Sequence, residues 1–244
     1  MLKKPASLTR RIKEIFLLSI IGIGLLWMIP PSGAQTIHSG LPLDVDTTAH
    51  YLFYLHGRII EEQGIRPRSE RFGIYEYEQI LQTFAKAGFV VISEARPKGT
   101  RVGAYARKIV QQIDSLINAG VPPAHITVVG ASKGAAIAVW VSHLLNQPEA
   151  RFVLIAICNP RTLAAWKQQG VRLRGRVLSI HEASDPIGNS CRELFSASRG
   201  NGLTAYQEIE LHTGLAHGVL YRPLPEWVNP TIEWAKHGRL SSKP

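Results

Sequence analysis

The chain reads as an α/β domain, with a mostly parallel sheet flanked by helices on both faces. Two observations predict this. Short, continuous apolar runs rich in β-branched residues alternate with segments whose apolar residues recur at helical spacing. Strands that are apolar throughout are those covered on both faces by crossover helices. In addition, the run Ile126–Val129 leads directly into Gly130-Ala131-Ser132-Lys133-Gly134 and then into a helix-like segment, a strand–turn–helix unit with almost no linker. The 244 residues are 45% hydrophobic, enough for one domain with a sizeable core.

Taken in order, residues 35–49 form a lead-in of low definition, and Tyr51–Leu55 is the first strand, ending at His56-Gly57. Glu76–Ala87 is predicted helical, with Ile80, Leu81, Phe84 and Ala85 on one face and Gly88 as its stop. Phe89–Ser93 is the next strand. Ala104–Ala119 is a helix with Ile109, Ile113, Leu116 and Ile117 along one side and Gly120 as its cap. After the Ile126–Val129 strand come a buried helix at Ala135–Asn146, a strand at Phe152–Ile157, a short helix at Leu163–Gln169 and a strand at Val177–Ile180. The last strand is predicted at Tyr206–Leu211 and a closing helix at Pro225–Lys236. There is no internal repeat and no low-complexity tract.

Residues 1–34 are set apart from the fold. Lys3, Lys4, Arg10, Arg11 and Lys13 precede an apolar run from Ile15 to Ile29, and Pro30-Pro31-Ser32-Gly33-Ala34 ends it. This order predicts a signal peptide cut after Ala34, so that the mature domain is 35–244 and the protein is exported, periplasmic or secreted. The alternative is an uncleaved membrane anchor through residues 15–29, which is short for a full span. The formal charge of +10 for the whole chain includes five Lys/Arg and Glu14 in that leader. The remaining cations are scattered, with no basic run interleaved with aromatics, so nucleic acid is not an expected partner.

The candidate chemistry centres on Ser132. A serine in a G-x-S-x-G turn between a strand and a helix is held in a strained conformation with its hydroxyl exposed at the helix N-terminus. There, partial positive charge favours a developing anion. Strand and helix pass so closely that Gly130 and Gly134 have to be nearly free of side chain. A serine hydroxyl is a weak nucleophile without a base, and the base works best when a carboxylate orients it. Asp185 lies in the loop after Val177–Ile180. Glu182 is the alternative acid, but only two residues past that strand. His217 lies in the loop before the closing helix, and His212 is the alternative base, still within the strand pattern. Backbone N–H groups of Lys133 and of Arg58, after His56-Gly57, are positioned to receive an oxyanion, with His56 as a brace of its loop. Lys133, Arg58 and Arg161 either line a cationic mouth or point to solvent. No cofactor motif and no metal-ligand spacing occurs.

Together, Tyr54-Leu55-His56-Gly57, Gly130–Gly134, Ser184-Asp185-Pro186 and Ala216-His217-Gly218 resemble the α/β-hydrolase superfamily, over residues 48–238. The resemblance implies the α/β-hydrolase fold and a serine hydrolase working through an acyl-serine intermediate. Ser132 would be the nucleophile, His217 the base and then the acid, and Asp185 the orienting carboxylate. A small-molecule acyl substrate and no cofactor or metal are expected. Carboxylesterase is the simplest activity; thioesterase and peptidase chemistry use the same groups. A non-catalytic binding or scaffold protein on this fold is the competing class, though no member of the Ser–Asp–His set is missing. One departure is the short span 158–176, where lids of this superfamily commonly insert, so an open, lidless site is expected. Cys158 and Cys191 fall at what should be neighbouring strand ends, which permits one disulfide in an exported chain; two buried thiols are the alternative.

Overall fold

The computed structural model describes residues 36–241, and the expected leader at residues 1–34 lies outside them. The elements in order are β1 Ile37–His38, β2 His50–Leu55, α1 Arg58–Gln63, β3 Arg68–Ser69, β4 Gly73–Ile74, α2 Tyr77–Lys86, β5 Phe89–Ile92 and α3 Val102–Asn118. They continue as β6 Ile126–Ala131, α4 Lys133–Leu144, β7 Arg151–Ile155, α5 Pro160–Gln168, β8 Gly175–Glu182, α6 Arg192–Ser198, β9 Leu203–Leu211 and α7 Pro225–His237. Among the described residues, no helix is long and apolar enough to cross a membrane.

Seven strands form the main sheet in the order β1-β5-β2-β6-β7-β8-β9, and every pairing within it is parallel. β3 and β4 form a separate antiparallel pair. Side chains alternate between two buried layers, as the two-residue period of a strand requires. Tyr51, Phe53, Val128, Phe152, Leu154 and Val177 face α3, α4 and Trp166 of α5. Leu52, Tyr54, Val129, Val153, Leu178 and Ile180 face α2 and α7, where Phe84, Trp227 and Trp234 fill the layer.

The structure departs from the sequence reading at several places. α1 follows His56-Gly57 at once, and six residues are too few to show a helical period. α6 is seven residues long and was also missed. β8 runs from Gly175 to Glu182 rather than Val177 to Ile180, because His181 and Glu182 are polar yet buried. The lead-in contributes β1 to the sheet edge. The span 158–176 holds α5 and, in its last two residues, the start of β8, which leaves room for one short helix as expected. The unanticipated covering piece comes instead from residues 64–76. They carry β3 and β4 and lay Phe72 against Gly218, where an added Cβ would stand 2.8 Å from the Phe72 ring.

Candidate active site

The carbonyl ends of β2, β6, β7, β8 and β9 converge on Ser132. The turn from β6 to α4 holds Ser132 at φ 53°, a strained value for a residue with a side chain. The reason for the glycines is direct. A Cβ on Gly130 would stand 2.4 Å from the Gly134 carbonyl oxygen, and one on Gly134 would stand 1.7 Å from the Leu55 carbonyl oxygen. Gly57 is different, since its Cβ position has 3.9 Å to Ser132 Cβ and its backbone is ordinary. It keeps the space above the serine open rather than solving a clash. The described non-glycine residues with positive φ are Ser132, Ala156 and Ala216. All lie around this site: Ala156 just past β7, and Ala216 next to His217.

His217 Nε2 is 3.0 Å from Ser132 Oγ, and His217 Nδ1 is 2.6 Å from Asp185 Oδ2. A carboxylate only accepts, so Nδ1–H donates to Asp185 and the free Nε2 faces the serine hydroxyl. Asp185 is buried, and its other oxygen accepts from the Ile187 N–H at 2.9 Å. The loop is further fixed by Gly188, whose Cβ position would lie 2.3 Å from the Ala156 carbonyl carbon. A hydroxyl so placed can pass its proton to the imidazole, and the carboxylate then balances the charge that forms.

Glu182, the alternative acid, has another place. It is the last residue of β8 and is buried. Its carboxylate accepts from Thr213 N–H at 2.8 Å, Thr213 Oγ1 at 2.7 Å, Ser184 Oγ at 2.9 Å, Ser184 N–H at 3.3 Å and Gly214 N–H at 3.2 Å. Ser184 Oγ in turn accepts from the Ala216 N–H at 3.2 Å. Glu182 therefore ties the loop of Asp185 to the loop of His217. Burial opposes its ionisation, but the hydrogen bonds from Thr213 and Ser184 outweigh this and hold its pKa down at about 2. His212, the alternative base, is exposed and faces Glu210 at 3.2 Å.

On the other side of Ser132, His56 is buried. Its Nε2 accepts the Arg96 N–H at 2.9 Å, and its Nδ1 donates to the Gly57 carbonyl at 2.8 Å. Burial, with the Arg96 charge beside it, pushes its pKa down to about 3, so it is a neutral brace. Glu61 on α1 is buried between two cations, Arg96 Nε at 2.9 Å and Lys133 Nζ. The Lys133 ammonium is thus paired with Glu61, while its side chain stays 14% exposed. Arg58 and Arg161 are exposed. The N–H groups of Arg58 and Lys133 open α1 and α4, before either helix can supply an acceptor. Among the described residues neither has a hydrogen-bond partner.

Cys158 and Cys191 are joined in a disulfide with Cα atoms 5.1 Å apart. The bond ties the segment after β7 to the start of α6. Sequence reasoning missed Glu61, Arg96 and Thr213, and it quoted Ser184 only as part of a motif, without its bridging role. The one available signal was for Glu182, a carboxylate at the carbonyl end of a strand next to the Asp185 loop.

No family model matches the chain, and no curated protein sequence does. Solved structures do. Arabidopsis thaliana SOBER1 aligns at 13% identity and TM-score 0.52, over 78% of this chain and 99% of that one. An esterase/lipase from an uncultured bacterium aligns at 14% identity and TM-score 0.51, over 78% and 76%. The Bacillus cereus carboxylesterase aligns at 16% identity and TM-score 0.50, over 80% and 91%. With the seven-stranded parallel sheet and the Ser132 turn, these likenesses establish that the chain has the α/β-hydrolase fold.

Proposed function

We propose that the protein is a serine hydrolase of carboxylesterase type. The observation that carries this reading is the unbroken run from Ser132 Oγ through His217 to Asp185, at 3.0 and 2.6 Å, set on a strained strand–helix turn. Ser132 Oγ attacks the ester carbonyl while its proton passes to His217 Nε2. The carbonyl oxygen becomes an oxyanion facing the Lys133 and Arg58 N–H groups. Collapse of this intermediate returns the proton from His217 to the departing alcohol and leaves an acyl-serine. Water, deprotonated by His217, attacks the acyl carbon, and release of the acid restores Ser132. The bacterial esterases that share the fold agree with this chemistry. Export is part of the proposal, since the Cys158–Cys191 bridge is of the kind that persists in oxidising compartments.

The test is labelling with a fluorophosphonate, which needs an activated serine and no knowledge of the substrate. The wild type should be labelled at Ser132 and the Ser132→Ala variant not at all, with unchanged circular dichroism. Undiminished labelling of that variant would refute the assignment. A folded wild type that resists the probe would favour a binding or scaffold role.

A further inference from the structure

We infer that the cleft beside Ser132 is a subsite for an anionic group of the substrate, a carboxylate carried on the ester being cleaved. The inference rests on the acyl-transfer reading above and specifies the substrate class. The cleft has a volume of about 330 Å³ and is lined by Arg58, Glu61, Glu62, Lys98, Thr100 and Lys133, with Gly99 at its edge. Two of its lining residues are chain neighbours of the residues around the serine. Lys133 directly follows Ser132, and Arg58 follows Gly57, whose Cβ position is 3.9 Å from Ser132 Cβ.

None of the lining side chains is apolar, so an alkyl chain entering here would bury nothing against a hydrocarbon surface. The balance of charge selects the sign of the occupant. Arg58, Lys98 and Lys133, with Arg96 behind them, face Glu61 and Glu62. Glu61 is already shared between Arg96 and Lys133. Among the described residues, Arg58 and Lys98 enter no ion pair. The loop Arg96-Pro97-Lys98-Gly99-Thr100-Arg101 carries no acid at all. An anion in the cleft would therefore meet two exposed cations without acidic partners, an attraction that salt screens.

The opposite margin of the site is of another character. Ile187 is 46% exposed and Leu215 is 37% exposed, each two positions from Asp185 or His217. An ester with a charged group on one side of the scissile bond and an apolar group on the other matches both margins in one orientation.

The experiment compares charged and capped ester pairs, each rate normalised to hydroxide hydrolysis. Mono-(4-nitrophenyl) adipate against its methyl-capped form places the charge on the acyl side. 4-Acetoxybenzoate against its methyl ester places it on the leaving side. For one of the two pairs, kcat/KM for the anionic member should exceed that of the neutral member by about tenfold at low salt. The ratio should decline at high salt and collapse to one or below in Lys98→Glu. Turnover of the neutral esters with no preference in either pair, or a preference indifferent to Lys98→Glu, overturns the subsite and leaves the hydrolase reading intact. Absence of turnover of all four esters with no fluorophosphonate labelling overturns that reading and the subsite together. Labelling of Ser132 without turnover of either anionic ester overturns the subsite alone.

Discussion

The two flanks of Ser132 are each braced by a buried carboxylate, but by opposite means. On the α1 side, Glu61 is neutralised by charge, between Arg96 and Lys133. On the β8 side, Glu182 enters no ion pair among the described residues, and its charge is held by hydrogen bonds from Ser184, Thr213 and Gly214. The α1 side presents rigid backbone N–H groups at two helix starts, and ion pairs suffice to hold a helix against its neighbouring loop. The β8 side has to register two separate loops, so that Asp185 and His217 meet at 2.6 Å. A carboxylate that accepts from both loops at once does this with backbone N–H groups, whose positions define the loop conformations themselves. A positive charge there would also compete with His217 for Asp185.

The comparison is broken most severely by Asp185→Asn. An amide cannot hold His217 in the tautomer that leaves Nε2 free, and kcat should decline roughly 10⁴-fold with the fold retained. Steady-state kinetics beside circular dichroism check this; near-wild-type turnover would remove Asp185 from its assigned role.

Glu182→Gln should be next in size. A glutamine must point its own donor at N–H or O–H donors, so at least one loop is released. We expect kcat to drop roughly 10- to 100-fold with KM little changed, because ground-state binding does not involve Glu182. The same variant carries a pH signature. The folded-state pKa of Glu182 is about 2, below its ordinary 4.5. Its ionisation therefore contributes stability that is present above about pH 4.5 and is lost as pH drops towards 2. Urea unfolding should accordingly show a wide gap between wild type and Glu182→Gln at pH 7 that closes between pH 4.5 and 2. A gap independent of pH would contradict the hydrogen-bonded carboxylate.

The smallest effect on turnover is expected from Glu61→Gln. That change leaves Arg96 buried without a counter-charge, and stability should diminish by about 3 kcal/mol. Turnover below the melting transition should change by less than about tenfold, because the proposed mechanism uses Lys133 and Arg58 through their backbone N–H groups. A loss of turnover as large as that of Glu182→Gln, with stability unchanged, would reverse the roles assigned to the two flanks.

What was legible in the sequence follows from the length scale of each signal. The long helices α2 and α3 and the apolar strands announce themselves by periodicity, because burial on a known face demands it. The Gly130–Gly134 turn is legible because only glycine tolerates backbone at 1.7 to 2.4 Å from its Cβ position. Asp185 and His217 were named from their places after strands, and the structure sets them in hydrogen-bond contact. Glu182 was weighed only as a rival acid. Its partners Ser184, Thr213 and Gly214 come from two loops some thirty residues apart, and such convergence leaves no local pattern. The Arg96–Glu61–Lys133 network was hidden for the same reason, since it draws on three separate elements. The covering segment with Phe72 was missed because two-residue strands are too short to show alternation.

The most direct measurement is of the acyl-enzyme itself. Protein mixed with excess 4-nitrophenyl acetate should release one equivalent of nitrophenol in a burst, and acid-quenched samples should carry the acetyl group on the peptide containing Ser132. Glu182→Gln should give a slower burst of the same amplitude, and Ser132→Ala none. Turnover without a burst or an adduct, or an acetyl group held on any other residue, would contradict the account.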